Sequence, residues 1–425
     1  MKTLIQNGYV LDPESKREGK FDVLIEDNKI IKVAEQITDH ADKVLDASGC
    51  YVMPGFIDLH VHLRDPGLEY KETLETGGKA AARGGVTTIC AMPNTKPVVD
   101  NGEKVADVHS RAKTDSPVHV IQIGAITIGQ QGQELADIEG MAKAGCHAIS
   151  EDGKSVMNAS LYRKAMKLAK DNGISIFAHC EDITMVEGGV MHADEKAQAL
   201  GLKGITNAVE DVIVARDILL AKETGVRLHL CHCSTEDSVK LVEAAKKEGL
   251  PVTAEVCPHH FAMTTDDITE DHGNWKMNPP LRGKEDVEAM IYGLKNDIID
   301  IIATDHAPHS EEEKNKSMAQ AVFGIVGIET SATLTYTELV DKGILTPMQM
   351  AEKMSYNPAK VLGLTDKGSV SEGMIADIVI FDPNKEYAID VNSFFSKGKN
   401  TPFHGYKVTG KVVGTICNGN IVFEA

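Results

Sequence analysis

Two histidines one residue apart stand near the end of an apolar run, in the stretch "IDLHVHLRDPG" at 57–67. Side chains two residues apart on a β-strand share a face and lie about 7 Å apart, so His60 and His62 can point at one site while Val61 points away. Neutral imidazole is a common zinc ligand, and a His-x-His pair is a familiar start to a metal site. Taken alone, the pair is equally consistent with two buried, hydrogen-bonded histidines.

Further side chains of the zinc-ligating type follow other apolar runs. His179 lies in "FAHCED", His232 in "HLCHCS", Asp152 in "AISEDGKS" and Asp305 in "IIATDHAPH". In a closed parallel barrel the chemistry takes place at the carboxyl ends of the strands, and each of these residues occupies such an end. Four histidines and two aspartates would then meet at one rim. This set predicts a zinc centre.

Neighbouring cysteines and histidines are predicted to stay outside this set. Cys231 and Cys233 flank His232, but strand alternation turns both thiols away from the histidine face, so we expect them to pack in the core. His259 and His260 follow the seventh predicted strand. We expect them to support the ligands, and direct metal binding is the alternative.

The candidate ligands need a scaffold that brings strand ends together. Between Pro54 and about Leu364, eight short apolar runs alternate with segments of helical character such as "NAVEDVIVARDILLAKETG". Eight strand–helix units in series predict an α/β fold, the (β/α)8 barrel of the TIM type, with a doubly wound open sheet as the alternative. No Gly-x-Gly-x-x-Gly follows a strand, which argues against a dinucleotide-binding fold.

Both ends of the chain depart from this pattern. Residues 1–53 and 366–425 read as short alternating strands and turns, with hairpin turns predicted at "EDNKI" and "CNGNI". We expect the two segments to form one small β-rich domain beside a catalytic barrel of residues 54–365.

Composition limits the kind of partner. The formal net charge of -19 disfavours nonspecific binding to nucleic acid or to an anionic membrane, so an anionic substrate must be attracted by local positive charge. The eight cysteines form no Cys-x-x-Cys pair, and we find neither a signal peptide nor a run of 18 apolar residues. We therefore expect a cytoplasmic protein with reduced thiols and a small-molecule substrate.

Five stretches resemble one known family. "GFIDLHVHLRDPG" and "ATDHAPHSEEEK" are similar to two signature segments of the dihydroorotases, within the amidohydrolase superfamily, and "AMPNT", "FAHCED" and "NPPLR" fit the same family. The resemblance covers essentially the whole chain and is strongest to the class I bacterial enzymes of pyrimidine (UMP) biosynthesis. It implies zinc-dependent, reversible cyclisation of N-carbamoyl-L-aspartate to L-dihydroorotate and water.

The resemblance also implies how the metal is held. One zinc ion would bind His60, His62 and Asp305, and a second would bind His179 and His232, with Asp152 bridging the two sites, of which one or both are occupied. Asp305 would also be catalytic, taking a proton from the attacking water and passing it to the departing ring nitrogen. Many relatives bridge with a carboxylated lysine. Lys154 is the only lysine near Asp152, and the aspartate bridge is favoured over it.

A second group of residues is implied to bind the substrate: His62, Arg64, Asn94, Asn278, His309, Phe323 and Gly324. Arg64 can bind a carboxylate bidentately, and Asn94 and His309 are its companions in the family. An ordinary salt bridge is the alternative for this arginine. The polar stretch 310–320 is expected to be either a mobile lid or a solvated loop.

Two other functions are alternatives to dihydroorotase activity. One is another cyclic amidase, such as a hydantoinase or an allantoinase, although Arg64 and Asn94 favour a carboxylated substrate. The other is a noncatalytic dihydroorotase-like subunit, although such proteins typically lack the metal ligands. The resemblance also makes a homodimer, and association with other pyrimidine-pathway enzymes, an expectation.

Overall fold

The computed structural model describes all 425 residues and contains 19 β-strands. The first strands are β1 (Lys2–Asp12), β2 (Arg17–Glu26), β3 (Lys29–Ala34), β4 (Lys43–Asp46) and β5 (Tyr51–Pro54). The middle of the chain holds β6 (Phe56–Val61), β7 (Val86–Ala91), β8 (His119–Gln122), β9 (Gly124–Ala125), β10 (Ala148–Ser150), β11 (Ser175–Ala178), β12 (Met191–His192), β13 (Gly204–Ile205), β14 (Leu228–Leu230), β15 (Val252–Val256) and β16 (Ile301–Ile302). The last strands are β17 (Ile378–Ala388), β18 (Lys407–Cys417) and β19 (Asn420–Glu424).

Thirteen α-helices lie between and after the middle strands. They are α1 (Leu74–Arg83), α2 (Gly102–Asp115), α3 (Ile138–Lys143), α4 (Ala159–Asp171), α5 (Glu195–Leu200), α6 (Ala208–Thr224), α7 (Glu236–Lys247), α8 (His259–Ala262), α9 (Lys284–Lys295), α10 (Glu311–Lys314), α11 (Ser331–Thr335), α12 (Pro347–Ala351) and α13 (Asn357–Leu362). Two π-helical turns, Tyr336–Val340 and Glu352–Tyr356, extend α11 and join α12 to α13. None of the helices combines the length and apolar composition that crossing a membrane requires.

Eight parallel strand positions close into a barrel. β6, β7 and β8 form one parallel sheet, and β9, β10, β11, β14, β15 and β16 form another. β8 and β9 are one barrel strand interrupted at Ile123. The ring closes where Val61 bridges His306 and the His62 amide donates to the His306 carbonyl at 2.8 Å. The predicted (β/α)8 barrel is confirmed, and this closure excludes the open sheet.

Helix α7 shows how the local sequence forms the outer layer. The Thr235 side chain accepts a hydrogen bond from the Ser238 amide and caps the helix. Val239, Val242 and Ala245 recur at helical spacing and are buried, while the opposite face is charged. The apolar stripe packs the helix against the barrel, so the loops at the strand ends stay free to carry chemistry.

The core has an inner and an outer part. A cluster of 12 buried residues, including Leu59, Cys90 and Phe177, draws on strands around the ring. A larger cluster of 65 buried residues joins the strands to the helices, with Ile89 and Val242 among its members. These two layers hold the strand ends in fixed positions.

The chain termini form a single sheet, as predicted. Its strand order is β19-β18-β17-β5-β1-β2-β3, and β4 pairs with β1. The β18–β19 turn places Asn418 and Gly419 at φ values of 51° and 77°, which suits a two-residue hairpin. A Cβ atom on Gly419 would lie 1.8 Å from the carbonyl oxygen of Asp27 in the β2–β3 turn, so glycine allows the two hairpins to meet. The domain boundaries proposed above stay a prediction.

Candidate active site

The six predicted metal ligands lie together at the carboxyl ends of the barrel strands. His60 belongs to β6, and the others follow strands in the loops: His62 after β6, Asp152 after β10, His179 after β11, His232 after β14 and Asp305 after β16. His60 Nε2 lies 3.1 Å from Asp152 Oδ1, and His62 Nε2 lies 3.0 Å from Asp305 Oδ1. His179 Nδ1 lies 2.9 Å from His232 Nε2. All six are buried.

Three of the four imidazoles have an oxygen acceptor on their outer side. The pairs are His60 Nδ1 with Glu255 Oε1 at 2.9 Å, His62 Nδ1 with Asn94 Oδ1 at 2.9 Å, and His179 Nε2 with Glu181 Oε2 at 3.1 Å. Carboxylate and amide oxygens accept hydrogen bonds, so the outer nitrogen of each ring carries the proton. The inner nitrogen of each ring therefore presents its lone pair to the aspartates.

Lone pairs and carboxylates facing one another require a cation between them. His60 Nε2 is buried and has no hydrogen-bond partner, although Asp152 Oδ1 is close. Burial lowers the pKa of His60, but the charges of Asp152 and Asp305 outweigh burial and raise that pKa well above its ordinary value. The field of the site thus favours positive charge, and the residues present fit a divalent metal ion.

Among the six predicted ligands, two sets of three ligand atoms are compact enough to hold a metal ion. One set is His60, His62 and Asp305, and the other is His60, Asp152 and His232, with the atoms of each set within 4.8 Å of one another. The donors are imidazole nitrogens and carboxylate oxygens, which suit zinc and other first-row divalent metals. These histidines and aspartates therefore form a candidate metal centre.

Glu255 is a functional residue that the sequence analysis missed. Its Oε1 accepts from His60, and its Oε2 lies 2.9 Å from Nε2 of His229. Burial raises the pKa of Glu255, but hydrogen bonds from His229 and His60 outweigh it and lower the pKa well below its ordinary value. The available signal was a carboxylate inside the largely apolar "VTAEV" strand, a position that requires a buried partner.

The two cysteines beside His232 are buried in the core, as expected. Cys231 follows the alternation of β14, since it and His229 both approach Glu255. Its sulfur also lies within 4.8 Å of a ligand atom of His60, so the thiol comes closer to this histidine than the strand pattern predicts. β14 ends at Leu230, and His232 has a φ of 35°. Backbone in the left-handed region is typical of functional sites, and Asp305 shares it with a φ of 48°.

A cavity of about 400 Å³ opens directly onto the ligands. Its lining includes every residue predicted to bind substrate: His62, Arg64, Asn94, Asn278, His309, Phe323 and Gly324. The remaining wall includes Glu181, Ile183 and Val186. The structure thus brings the two predicted sets of residues to one cavity, and their individual roles stay predictions.

Arg64 is the only lysine or arginine side chain that lines this cavity. β6 ends at Val61, and Arg64 reaches the cavity through a turn with a φ of 61° rather than by continued strand alternation. Its Nε donates to the Pro308 carbonyl at 3.2 Å, and its Nη2 lies 3.2 Å from Nε2 of His309. The side chain is buried and forms no salt bridge, so it supplies the local positive charge that an acidic protein needs to attract an anion.

Lys314 anchors the part of the cavity wall that carries Gly324. Its ammonium donates to the carbonyl oxygens of Lys276 at 3.0 Å, Val322 at 2.9 Å and Gly324 at 2.7 Å. Lys314 and Met318 are the two buried residues of the stretch 310–320 and attach it to the cavity wall, while most of its other residues are exposed. The choice between a mobile lid and a solvated loop stays a prediction. The sequence analysis missed the role of Lys314 because it depends on loops that are distant along the chain.

Asn400 joins the C-terminal segment to the same wall. Its Nδ2 donates to the carbonyls of Ala307 at 2.9 Å and Gly324 at 3.0 Å, and its Oδ1 accepts from the His309 amide at 3.1 Å. One side chain therefore fixes the backbone at Ala307, at His309 and at Gly324. No sequence signal indicated that "KNTPF" would reach the barrel rim.

The paired histidines after β15 lie behind the wall, in keeping with a supporting role. His260 Nε2 donates to the Pro279 carbonyl at 3.0 Å, next to Asn278. Asn278 in turn donates from Nδ2 to Glu181 Oε1 at 2.9 Å. Burial lowers the pKa of His259 to about 4, so this imidazole is neutral.

Comparison with known proteins identifies the family. A family model described as "Dihydro-orotase-like" matches residues 49–238. The dihydroorotase of Acetivibrio thermocellus is 48% identical over 419 residues, which cover 99% of this chain and 98% of that protein. The chain belongs to the dihydroorotase family. The dihydroorotase of Bacillus cereus strain AH820 is 47% identical over 424 residues, which cover the whole of this chain and 99% of that protein.

Comparison with solved structures shows that this chain shares its fold with a hydantoinase. The L-hydantoinase (dihydropyrimidinase) of Arthrobacter aurescens superposes with a TM-score of 0.89 and is 29% identical, covering 99% of this chain and 96% of that one. The identity to the two dihydroorotases confirms the predicted family, and the shared fold confirms the barrel with its β-rich domain.

Proposed function

We propose that the protein is a dihydroorotase that interconverts N-carbamoyl-L-aspartate and L-dihydroorotate in de novo pyrimidine (UMP) biosynthesis. The observation that carries the proposal is the position of Arg64 on the cavity that contains the metal ligands. Dihydroorotate combines a cyclic amide with a carboxylate, so its recognition needs both a centre for amide chemistry and a nearby cation. Whole-chain identity of 47–48% to dihydroorotases supports the same substrate.

Zinc is the ion we propose, in one or two sites. His60, His62 and Asp305 would hold the first ion and His179 and His232 the second, with Asp152 between them. When bound, zinc polarises the ring carbonyl as a Lewis acid and lowers the pKa of water to about 7. Glu255, Asn94 and Glu181 support this assignment, since each fixes the tautomer of one histidine.

Asp305 is the residue we assign to proton transfer. Its Oδ1 faces His62 at 3.0 Å and His60 at 3.5 Å, while Oδ2 makes no hydrogen bond within the protein. In the hydrolytic direction, Oδ2 takes a proton from the attacking water as the oxygen bonds to the ring carbonyl carbon. Asp305 then gives that proton to the ring nitrogen as the carbon–nitrogen bond breaks. The cyclisation that serves biosynthesis is the reverse of these steps.

The remaining lining residues bind and orient the substrate. Arg64 and His309 hold its carboxylate, and the Asn94 amide group, whose oxygen accepts from His62, offers Nδ2 to the same end of the cavity. Asn278 contacts the amide edge of the ring. Phe323 and Gly324 cover the ring and limit access of bulk water.

A hydantoinase or dihydropyrimidinase is the second candidate, because a solved hydantoinase shares the fold at a TM-score of 0.89. Hydantoin and dihydrouracil carry no carboxylate. In a site for these substrates the buried arginine would have no anionic partner, and its unpaired charge would be destabilising. An allantoinase is disfavoured on the same ground. A noncatalytic subunit is disfavoured because all six ligands are present and adjacent.

Turnover assays decide between these candidates. The purified protein with zinc is tested against dihydroorotate, hydantoin, dihydrouracil and allantoin at matched concentrations. We expect kcat/KM for dihydroorotate to exceed the other three by at least a hundredfold. Preference for any of the others, or no turnover together with no bound metal, would refute the proposal.

Cellular location and assembly are further parts of the proposal. A cytoplasmic location is supported by eight free cysteines, seven of which are buried. A homodimer, and association with other pyrimidine-pathway enzymes, are supported by the family resemblance, and light scattering on the purified protein tests the dimer.

A further inference from the structure

Both ring nitrogens of His309 face a cationic donor. Arg64 Nη2 lies 3.2 Å from Nε2, and Lys71 Nζ lies 3.2 Å from Nδ1. Burial and the charges of Arg64 and Lys71 lower the pKa of His309 far below its ordinary value, so the ring is neutral. Guanidinium and ammonium groups only donate hydrogen bonds, whereas a neutral imidazole has one lone pair. Only one of the two cations can therefore donate to the ring.

Lys71 is held in place from the side away from the cavity. Its ammonium lies 2.8 Å from Oε1 of Glu313, which also accepts from the hydroxyl of Tyr70 at 3.1 Å. Lys71 is buried and does not line the cavity, so its only described acceptors are Glu313 and His309. Arg64, in contrast, lines the cavity and can turn its Nη2 group towards a bound ligand.

The opposite tautomer of His309 has a weaker acceptor. If Nδ1 carried the proton, it would donate to Oε2 of Glu313, which is 3.5 Å away. That oxygen already accepts from the amide of Ser310 at 3.1 Å and from its hydroxyl at 3.2 Å. The proton would also point towards the Lys71 ammonium. The geometry thus favours a lone pair on Nδ1 and a proton on Nε2.

We propose that Lys71 is a positioning residue for carboxylate recognition: it donates to Nδ1 of His309, so that Nε2–H and Arg64 Nη2–H face the substrate carboxylate together. Two donors 3.2 Å apart repel each other, and a carboxylate offsets this repulsion by accepting from both. The Phe323 carbonyl is a further acceptor beside the ring and competes with the substrate for the histidine proton. Gly324 leaves room on this side, since a Cβ atom there would lie 3.2 Å from Nε2. This inference rests on the proposed dihydroorotase function.

The tautomer can be measured directly on the intact protein. Protein labelled with 15N-histidine is studied by NMR, and the His309 signals are assigned by their loss in His309→Gln. We expect the wild-type ring to be neutral with its proton on Nε2, and Lys71→Met to move the proton towards Nδ1. A wild-type proton on Nδ1 would overturn the proposal. Because this measurement requires no turnover, it is decided separately from the proposed function.

Kinetics give the second test. We expect Lys71→Met to raise KM for dihydroorotate and the inhibition constant of orotate, which has the same carboxylate, by about tenfold. We expect kcat to change by less than about threefold, and Lys71→Arg to recover part of the loss. Lys79→Met is the matched control, because Lys79 is an exposed lysine that pairs only with Glu75 on the surface. Unchanged KM in Lys71→Met, or a loss confined to kcat, would overturn the proposal.

Discussion

The Glu255 carboxylate accepts a hydrogen bond from Nδ1 of His60 at 2.9 Å, and both side chains are fully buried. The contact places the proton of His60 on Nδ1 and leaves the lone pair of Nε2 facing Asp152. A carboxylate behind a histidine is the usual device for fixing the orientation and basicity of a metal ligand. This pair therefore links a residue in the barrel core to the metal centre.

Replacing Glu255 should weaken metal binding. Glu255→Gln turns one acceptor oxygen into an NH2 group, so His60 and His229 cannot both keep their present hydrogen bonds. We expect the zinc affinity to fall by about 10- to 100-fold, measured by competition with a chelator. Glu243→Gln, which alters an exposed pair with Lys247, should leave the affinity unchanged. Wild-type affinity in the Glu255 variant would show that the contact does not orient the ligand.

Changes at Asp305 separate metal binding from proton transfer. Asp305→Ala removes both and should nearly abolish turnover. Asp305→Asn keeps an oxygen that can bind metal but removes the proton acceptor, so we expect kcat to fall by about 10²- to 10⁴-fold while much of the zinc is retained. Zinc content by atomic absorption and kcat with dihydroorotate are measured together. An active asparagine variant would contradict the assigned role.

Arg64 should affect the substrate and leave the metal in place. Arg64→Met removes the cation of the cavity but none of the metal ligands, so KM for dihydroorotate should rise by about a hundredfold at unchanged zinc content. Arg163→Met removes an exposed arginine, which contacts Glu223 at the surface, and should behave as wild type. Our assignment fails if the Arg64 variant retains normal kinetics.

Gly324 tests how tightly the cavity wall approaches His309. Gly324 has a φ of 120°, and a Cβ atom would lie 2.7 Å from the Cβ of Ala307. Gly324→Ala should lower the stability by about 1–3 kcal/mol and raise KM for dihydroorotate. Gly343→Ala is the control, since Gly343 has a φ of 69° and open space around it. It should lower only the melting temperature. Equal KM values for the two variants would argue against a role of Gly324 in the wall.

The ligand set could be predicted from the sequence because each ligand lies at or just beyond a strand end. Apolar runs mark the strands, and the parallel strands of a barrel end on the same side. His179 and Asp305 therefore line the same cavity although 126 positions (305 minus 179) separate them. The sheet formed by the two terminal segments could also be predicted. Short strands with no helices between them must pair with other strands, and the two ends of the chain are the segments with this pattern.

The supporting residues could not be predicted in the same way. Lys314 and Asn400 act through backbone carbonyls of loops, and no periodic pattern specifies which loop segments touch. The approach of Cys231 to His60 could not be predicted either, because it depends on how neighbouring barrel strands face one another. Strand alternation gives the face of a side chain within its own strand but not its contacts with other strands.

Our central proposal is that six side chains at the ends of five strands hold metal for amide chemistry in a cavity selective for a carboxylate. A crystal structure of the zinc-loaded protein with dihydroorotate, with anomalous diffraction recorded at the zinc edge, tests it most directly. We expect one or two zinc peaks among His60, His62, Asp152, His179, His232 and Asp305, with the substrate carboxylate on Arg64. Zinc absent from these residues in a fully active enzyme would contradict the account.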